Sequence, residues 1–213
     1  MRWLDGARAL QALYDIDNSK PLALGQFDAN ILEDKMPELC ESLVAEHEII
    51  LGVLDALEKE AGQLDSGAAV RRDFFTEAIA FVREFADGVH HQKEEGILFP
   101  RMAKAGVPSE GGPIGVMLLE HDEGRAHIRA MDGALAKAAD GDSEARRTLI
   151  RETRGYVALL RAHIMKENTV LFPMADRVFD QAQKAEILAA FAETEATSTG
   201  VTERQRRWAE SLP

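Results

Sequence analysis

The sequence predicts an all-α protein, an antiparallel up-down four-helix bundle with short N- and C-terminal helical extensions. Three observations predict it. Apolar residues recur at helical spacing over most of the 213 residues, and no alternating strand pattern appears. Helix breakers gather at a few points only, leaving four long segments with short joints, the pattern of a bundle. The second half of the chain echoes the first, so the four segments fall into two pairs.

The first segment runs from about Leu32 to Ala61, with Leu39, Leu43, Ile50, Val53, Leu54 and Leu57 on one face, and stops at Gly62 and Asp65-Ser66-Gly67. The second starts near Ala68, carries Phe74, Phe75, Ile79, Phe81, Val82 and Phe85, and reaches Phe99-Pro100. Gly106 to Pro113 is dense in breakers and predicts a loop. The third segment extends from about Ile114 to Ala139, and Asp140-Gly141-Asp142-Ser143 is a turn whose Asp142 or Ser143 caps the next helix. The fourth runs from about Glu144 to Val178. Pro100 and Pro173 are expected to kink or end their helices. The bundle proper is residues 36–177, as two helical hairpins over about 36–105 and 113–177. Residues 1–35 form an N-terminal extension and 178–213 a C-terminal helix and tail: a short helix over 180–194, a break at Thr197-Ser198-Thr199-Gly200, and a solvated end.

Composition removes several partners. Lys plus Arg is 25 against Asp plus Glu 37, a net charge of −12 with a pI near 5.0, which repels phosphate backbones and anionic lipid heads. The longest stretch without Asp, Glu, Lys or Arg is nine residues, Gly111 to Leu119, too short to cross a membrane. The first residues hold no apolar run of signal-peptide length. A single cysteine, Cys40, cannot form an internal disulfide, and a reducing cytoplasm is expected.

The repeat carries the chemistry. His90-His91-Gln92-Lys93-Glu94-Glu95-Gly96-Ile97-Leu98-Phe99-Pro100 aligns with His163-Ile164-Met165-Lys166-Glu167-Asn168-Thr169-Val170-Leu171-Phe172-Pro173 at an offset of 73, with six of eleven positions identical. Glu46-His47-Glu48 echoes Glu120-His121-Asp122 at an offset of 74. In each hairpin the first helix thus offers one His and the second offers His-x-x-x-Glu. Residues i and i+4 share a helix face, so His90 with Glu94 and His163 with Glu167 project as pairs beside apolar neighbours. Carboxylates turned inward cost several kcal/mol each unless something positive neutralises them. No buried Lys or Arg set is obvious in the sequence, and a pair of metal ions is the economical answer. Register agrees in the second hairpin. His121 and His163 lie about 18 and 20 residues from the turn between them, roughly 27 to 30 Å along each arm.

The pattern His, His-x-x-x-Glu, His, His-x-x-x-Glu, together with Lys-Glu-Glu-Gly-Ile-Leu-Phe-Pro, resembles the hemerythrin-like HHE cation-binding domain family over about residues 36–177. That resemblance implies an antiparallel four-helix bundle around a non-haem di-iron centre, two Fe per chain, bridged by two carboxylates and an oxo or hydroxo group. It implies His47, His90, His121 and His163 as terminal ligands and Glu94 and Glu167 as bridges. Imidazole and carboxylate donors suit iron, with Zn or Mn as possible substitutes.

The sequence departs from the oxygen-carrying members of that family. Those carry five histidines, two of them at i and i+4 on the third helix. Here the residue four beyond His121 is Arg125, and His127 at i+6 faces elsewhere. The fifth nitrogen is either absent or supplied by His91, whose alternative is a place behind the ligands or at the surface. Pairing of His91 with Glu95 as ligands is disfavoured, because the repeat aligns Glu95 with Asn168. Tyr156 and Arg125 share the ligand faces and are expected behind the ligands, the alternative being ordinary core for Tyr156 and a solvent-reaching Arg125. The expected function is non-haem di-iron binding, reacting with or sensing O₂, peroxide or NO, or handling iron. A reversible O₂ carrier and a structural metal are the alternatives. The expected partner is a small diatomic or peroxide ligand, not nucleic acid or membrane.

Overall fold

A computed structural model describes residues 38–212, all of whose regular structure is helical. The expected N-terminal extension, residues 1–35, lies outside them. A short 3₁₀ turn, Glu38–Cys40, leads into helix α1, Glu41–Asp65. Helix α2 is one continuous arm: Arg72–Phe81, a π-helical stretch Val82–His91, a second π-helical turn Glu94–Leu98, and Phe99–Lys104. Helix α3 is Pro113–Ala139. Helix α4 is Ser143–Lys166, a π-helical turn Glu167–Leu171, and Phe172–Val178. Helix α5 is Gln181–Glu210.

The boundaries follow local chemistry. Asp142 caps α4 by accepting from the backbone N–H groups of Glu144 and Ala145. Asp180 and Gln183 form a reciprocal capping box at the start of α5. Pro113 opens α3, where its missing N–H costs nothing. Gly141 takes φ 94° in the tight turn before α4, a backbone shape that a side chain opposes.

Pro100 and Pro173 do not end their helices, which corrects one half of the expectation for them. Each follows a π-helical turn in which the N–H before the proline, that of Phe99 or Phe172, reaches back five residues to Glu94 or Glu167. The widened turn removes the clash that a proline ring makes with a carbonyl four residues back, so helix continues beyond it.

The ion pairs between α1 and α4 and between α2 and α3 run in opposite order along the two helices of each pair. Asp65 of α1 pairs with Arg154 of α4, and Asp55 and Glu58 with Arg161. On α2, Arg83 pairs with Asp132 of α3 and Asp87 with Arg125. Two apolar clusters fill the interior, one with Leu57, Phe75, Phe85, Met131 and Leu149, the other with Leu43, Leu98, Met102, Phe172 and Phe191. The polar residues of interest lie between them on every arm. His47 falls between Leu43 and Ile50, His90 between Ala86 and Leu98, and His121 between Met117 and Ile128.

The C-terminal segment is not a short helix with a solvated tail. The weak helix formers Thr197 to Gly200 are carried through because α5 is anchored on both sides of them. Thr197 and Thr199 donate back to the carbonyls of Thr194 and Glu195. Beyond the weak stretch, Trp208 packs on Phe74 and Phe81, and the buried Gln205 donates to Glu84. Tertiary packing has overridden local propensity.

If these contacts hold α5, Trp208→Ala lowers the free energy of unfolding by about 2 kcal/mol in urea denaturation. Leu188→Ala, at a 40% exposed position of the same helix, changes it by less than about 0.5 kcal/mol. Equal losses would show that the far end of α5 is not anchored.

Candidate metal centre

All six residues that sequence spacing singles out as ligands are brought together, fully buried, in the layer between the two apolar clusters: His47 from α1, His90 and Glu94 from α2, His121 from α3, His163 and Glu167 from α4. They fall into two groups. One is His47, His90, Glu94 and Glu167; the other is His91, His121, His163 and Glu94. Within each, one donor atom per residue lies within 4.8 Å of all the others. Glu94 belongs to both groups. Its Oε1 is 3.6 Å from His90 Nε2 and its Oε2 is 3.5 Å from His121 Nε2. Glu167 also spans them, with Oε2 3.1 Å from His47 Nε2 and Oε1 3.2 Å from His163 Nε2.

His91, left open by the sequence, is the fifth imidazole in the cluster. Its ring lies on that of His121, with centroids 3.7 Å apart. An α-helix turns successive residues by about 100°, which forbids two adjacent side chains from sharing one inward line. Here the π-helical stretch Val82–His91 adds a residue per turn just where the two histidines fall. Periodicity argued from α-geometry has no means of seeing that.

Each of the five imidazoles is held from behind at Nδ1. His90 bonds Glu46 at 2.9 Å, His163 bonds Glu120 at 2.9 Å, His121 bonds Glu95 at 2.7 Å, His91 bonds Asp87 at 3.2 Å, and His47 bonds the Asn168 side-chain oxygen at 2.8 Å. An acceptor at Nδ1 assigns the proton there and leaves Nε2 bare. Bare nitrogens then face each other at 3.0 Å, His47 against His90 and His121 against His163. No side-chain oxygen of Glu94 or Glu167 accepts a hydrogen bond, although all are buried. Converging lone pairs and orphaned carboxylates need positive charge between them. The donor set of imidazole nitrogen and carboxylate oxygen fits a pair of first-row divalent ions.

The repeat extends to these backing groups, and the sequence reading missed it. Glu46 and Glu120, each just before a ligand-candidate His, hold the histidine of the partner helix. Each also pairs with the lysine three residues beyond that histidine: Lys93 at 2.7 Å from Glu46, and Lys166 with Glu120. The Glu-His echo and the repeated Lys were the available signal. Lys93 is itself fully buried, which corrects the expectation that no buried cation stands nearby. Its charge meets Glu46 and, at 2.8 Å, Glu195 of α5, and so does not reach Glu94 or Glu167. Glu95 and Asn168, aligned in the repeat, do the same job in the two halves.

Electrostatics follows from burial and these partners. Burial pushes His90 down to about 4 and His91 down to about 3, so both are neutral near pH 7. Burial and the neighbouring Glu167 carboxylate push Glu94 well above the usual range. Burial works the same way on Glu167 but is overcome by His163 and His47, which hold it low. Burial also opposes charge on His163, yet Glu167 and Glu120 raise it to about 9. The hydrogen bond from His121 and then the Arg125 guanidinium bring Glu95 to about 2.

Arg125 and Tyr156 lie beside the second group. Arg125 bonds Glu95 at 2.6 Å, Asp87 at 2.7 Å and Asp122 at 3.0 Å, tying together the carboxylates behind His121 and His91. Tyr156 is buried and lines a cavity with His91, His121 and His163. His127 is turned away and pairs with Glu152 at 2.8 Å, as its i+6 position predicts.

Glu94 yields a test in the metal-free protein. A carboxyl raised above its ordinary value binds a proton that the unfolded chain has lost, and this costs stability progressively as pH rises above about 4.5. Glu94→Gln should therefore raise the melting temperature of metal-free protein at pH 7, with the gain shrinking towards pH 4.5. The same variant should bind metal less tightly. An unchanged melting temperature at both pH values would contradict the burial and charge reading.

Comparison with known proteins agrees with this geometry. Residues 39–175 match the family model described as the hemerythrin HHE cation binding domain. The uncharacterized proteins Mb2018 of Mycobacterium bovis and Rv1995 of Mycobacterium tuberculosis are similar to the chain, each 25% identical over 155 residues. Those matches cover 73% of this chain and 60% of each relative, so the chain spans about three fifths of the length of the curated relatives it matches. No solved structure is a significant match. With more than half of its length inside the family model and the paired His and Glu groups in place, the chain belongs to the hemerythrin HHE cation-binding domain family.

Proposed function

We propose that this protein is a non-haem di-iron protein, built on an antiparallel up-down four-helix bundle over about residues 36–177 and covered by α5. His47, His90, His91, His121 and His163 hold two iron ions and Glu94 and Glu167 bridge them. One observation carries the reading: two groups of bare imidazole nitrogens, five in all, are joined by two buried carboxylates that accept no hydrogen bond. A single structural Zn site closes with four ligands, and seven donor residues in two groups exceed that need. Zn or Mn would fit the same donors.

When bound, a di-iron pair supplies the electrons for reaction with O₂, peroxide or NO. The chain's own residues set what surrounds it. The backing carboxylates fix each imidazole with Nε2 inward. Burial pushes the Tyr156 phenol well up, so at neutral pH it keeps its proton and offers a neutral O–H beside His91, His121 and His163. Asp87, held low by hydrogen bonds from His91 and Arg125 against the opposing pull of burial, is an anion on the same cavity wall.

We favour reaction or sensing over reversible O₂ carriage, on different grounds from those of the sequence. His91 supplies the fifth nitrogen, so the case from a missing donor falls away. Arg125 is taken up by three carboxylates and is not free to steady charge on a reacting oxygen. What supports reaction is the cavity itself. Its walls are mostly apolar, but Asp87, Glu120, Arg83 and Arg129 also line it, and these titratable and charged groups give protons a path to the centre. The acidic surface argues against nucleic acid. Among the described residues no helix is long and apolar enough to cross a membrane. The lone Cys40, buried, fits the reducing cytoplasm we assign to the protein.

His47→Ala and Glu167→Ala should each lose metal and lower the melting temperature of protein grown with iron, because bound metal stabilises only the folded state. Exposing reduced, iron-loaded protein to O₂ should give an oxidised spectrum that persists when the O₂ pressure is lowered. Recovery of the reduced spectrum on lowering the pressure would establish the carrier reading instead.

A further inference from the structure

The cavity beside the second histidine group is larger than any diatomic needs. It measures about 150 Å³ and is walled by Val82, Ile128, Leu160, the ring of Tyr156 and the bare backbone of Gly124, with His91, His121 and His163 at its inner end. An apolar cavity of about 150 Å³ is enough for a benzene ring, whereas one water occupies roughly 30 Å³ of liquid. Among the described residues the other histidine group is covered: His47 is stacked on Phe172, with ring centroids 5.5 Å apart, and Lys93 beside Glu46 is covered by Phe191 and Glu195 of α5. The cavity therefore serves one side of the centre.

We propose that this cavity is a binding site for a compact organic anion, a monocarboxylate with an apolar body the size of one six-membered ring. The proposal rests on the di-iron reading above. Two divalent ions outweigh the bridging Glu94 and Glu167, and the carboxylates behind the imidazoles are met by Lys93, Lys166 and Arg125. The loaded centre is thus net positive and draws an anionic oxygen to the inner end. The aliphatic walls and the Tyr156 ring take the apolar body. The polar part of the wall carries both signs: Asp87 and Glu120 are met by Arg125 and Lys166, Arg83 is paired with Asp132, and the Arg129 guanidinium favours entry of an anion. Gly124 is what leaves the room. A Cβ built there meets Leu160 and Tyr156 side chains at 3.6 Å, ordinary contact, so an alanine fits without disturbing the helices and takes space from the ligand.

The experiment compares benzoate and azide, a ring-bearing and a three-atom anion, on the iron-loaded full chain by calorimetry and visible absorption. Benzoate is expected to bind the loaded wild type and not the metal-free protein. Gly124→Ala should weaken benzoate by about tenfold while azide binding and iron content stay as in wild type, and Gly124→Leu should abolish benzoate binding with iron content unchanged. The Ala variant keeps the test valid should the Leu variant fold poorly. Azide binding without benzoate binding in the wild type overturns the proposal and leaves the di-iron reading standing. Equal benzoate affinity in wild type and Gly124→Ala, or in loaded and metal-free protein, also overturns it. Failure of iron to bind at all overturns the di-iron reading and this one with it.

Discussion

Five imidazole rings and two carboxylates without hydrogen bonds converge at the centre of the helices, and the rest of the structure depends on how their charges are met. A buried carboxylate without a partner costs several kcal/mol, and two side by side cost more. The chain places its buried lysine against Glu46, one step behind the cluster, and not against Glu94 or Glu167. Cations held inside the cluster would resolve the conflict. Every backing group, from Glu46 to Asn168, then has a single purpose: to keep Nε2 pointed at them.

The helices are shaped around this requirement. Glu94 and Glu167 each open a π-helical turn, and both turns end in a Leu-Phe-Pro segment. The widened turn lets proline stand in mid-helix, and the helix beyond it places Phe99 and Phe172 in the second apolar cluster. The polar layer is thereby sealed by apolar packing above and below, which lowers the local dielectric and strengthens each charge interaction within it. Helix α5 closes the flank beside Lys93, linking the C-terminal segment to the geometry of His90 through Glu195, Lys93 and Glu46.

Much of this was legible in the sequence because the repeat is long and its chemistry unusual. The His-x-x-x-Glu pairs fixed the ligand candidates, since i and i+4 share a face in an α-helix whatever the fold. The helix breakers placed the turns near Asp65, Gly106 and Gly141. What escaped detection needed geometry that α-periodicity does not contain. His91 enters the cluster through a π-helical stretch, and nothing in Val82 to His91 announces one. Lys93 is an ordinary surface residue by type, and its burial depends on α5, whose helix runs through Thr197 to Gly200 against local propensity. Glu46 and Glu120 were in plain view beside their histidines. Only the cross-helix contact reveals that each serves the partner helix and not its own.

The two halves are similar without being equivalent. Asn168 stands where Glu95 does, and Ile164 where His91 does, so one group has three imidazoles, each backed by a carboxylate, and the other has two, one of them backed by a neutral amide. The central claim is that these two groups are two metal positions joined by Glu94 and Glu167. Anaerobic titration of metal-free protein with ferrous ion, followed by calorimetry, tests it most directly. The account predicts uptake that ends at two ions per chain, in two resolvable phases of different affinity. Uptake that ends at one ion per chain would contradict it.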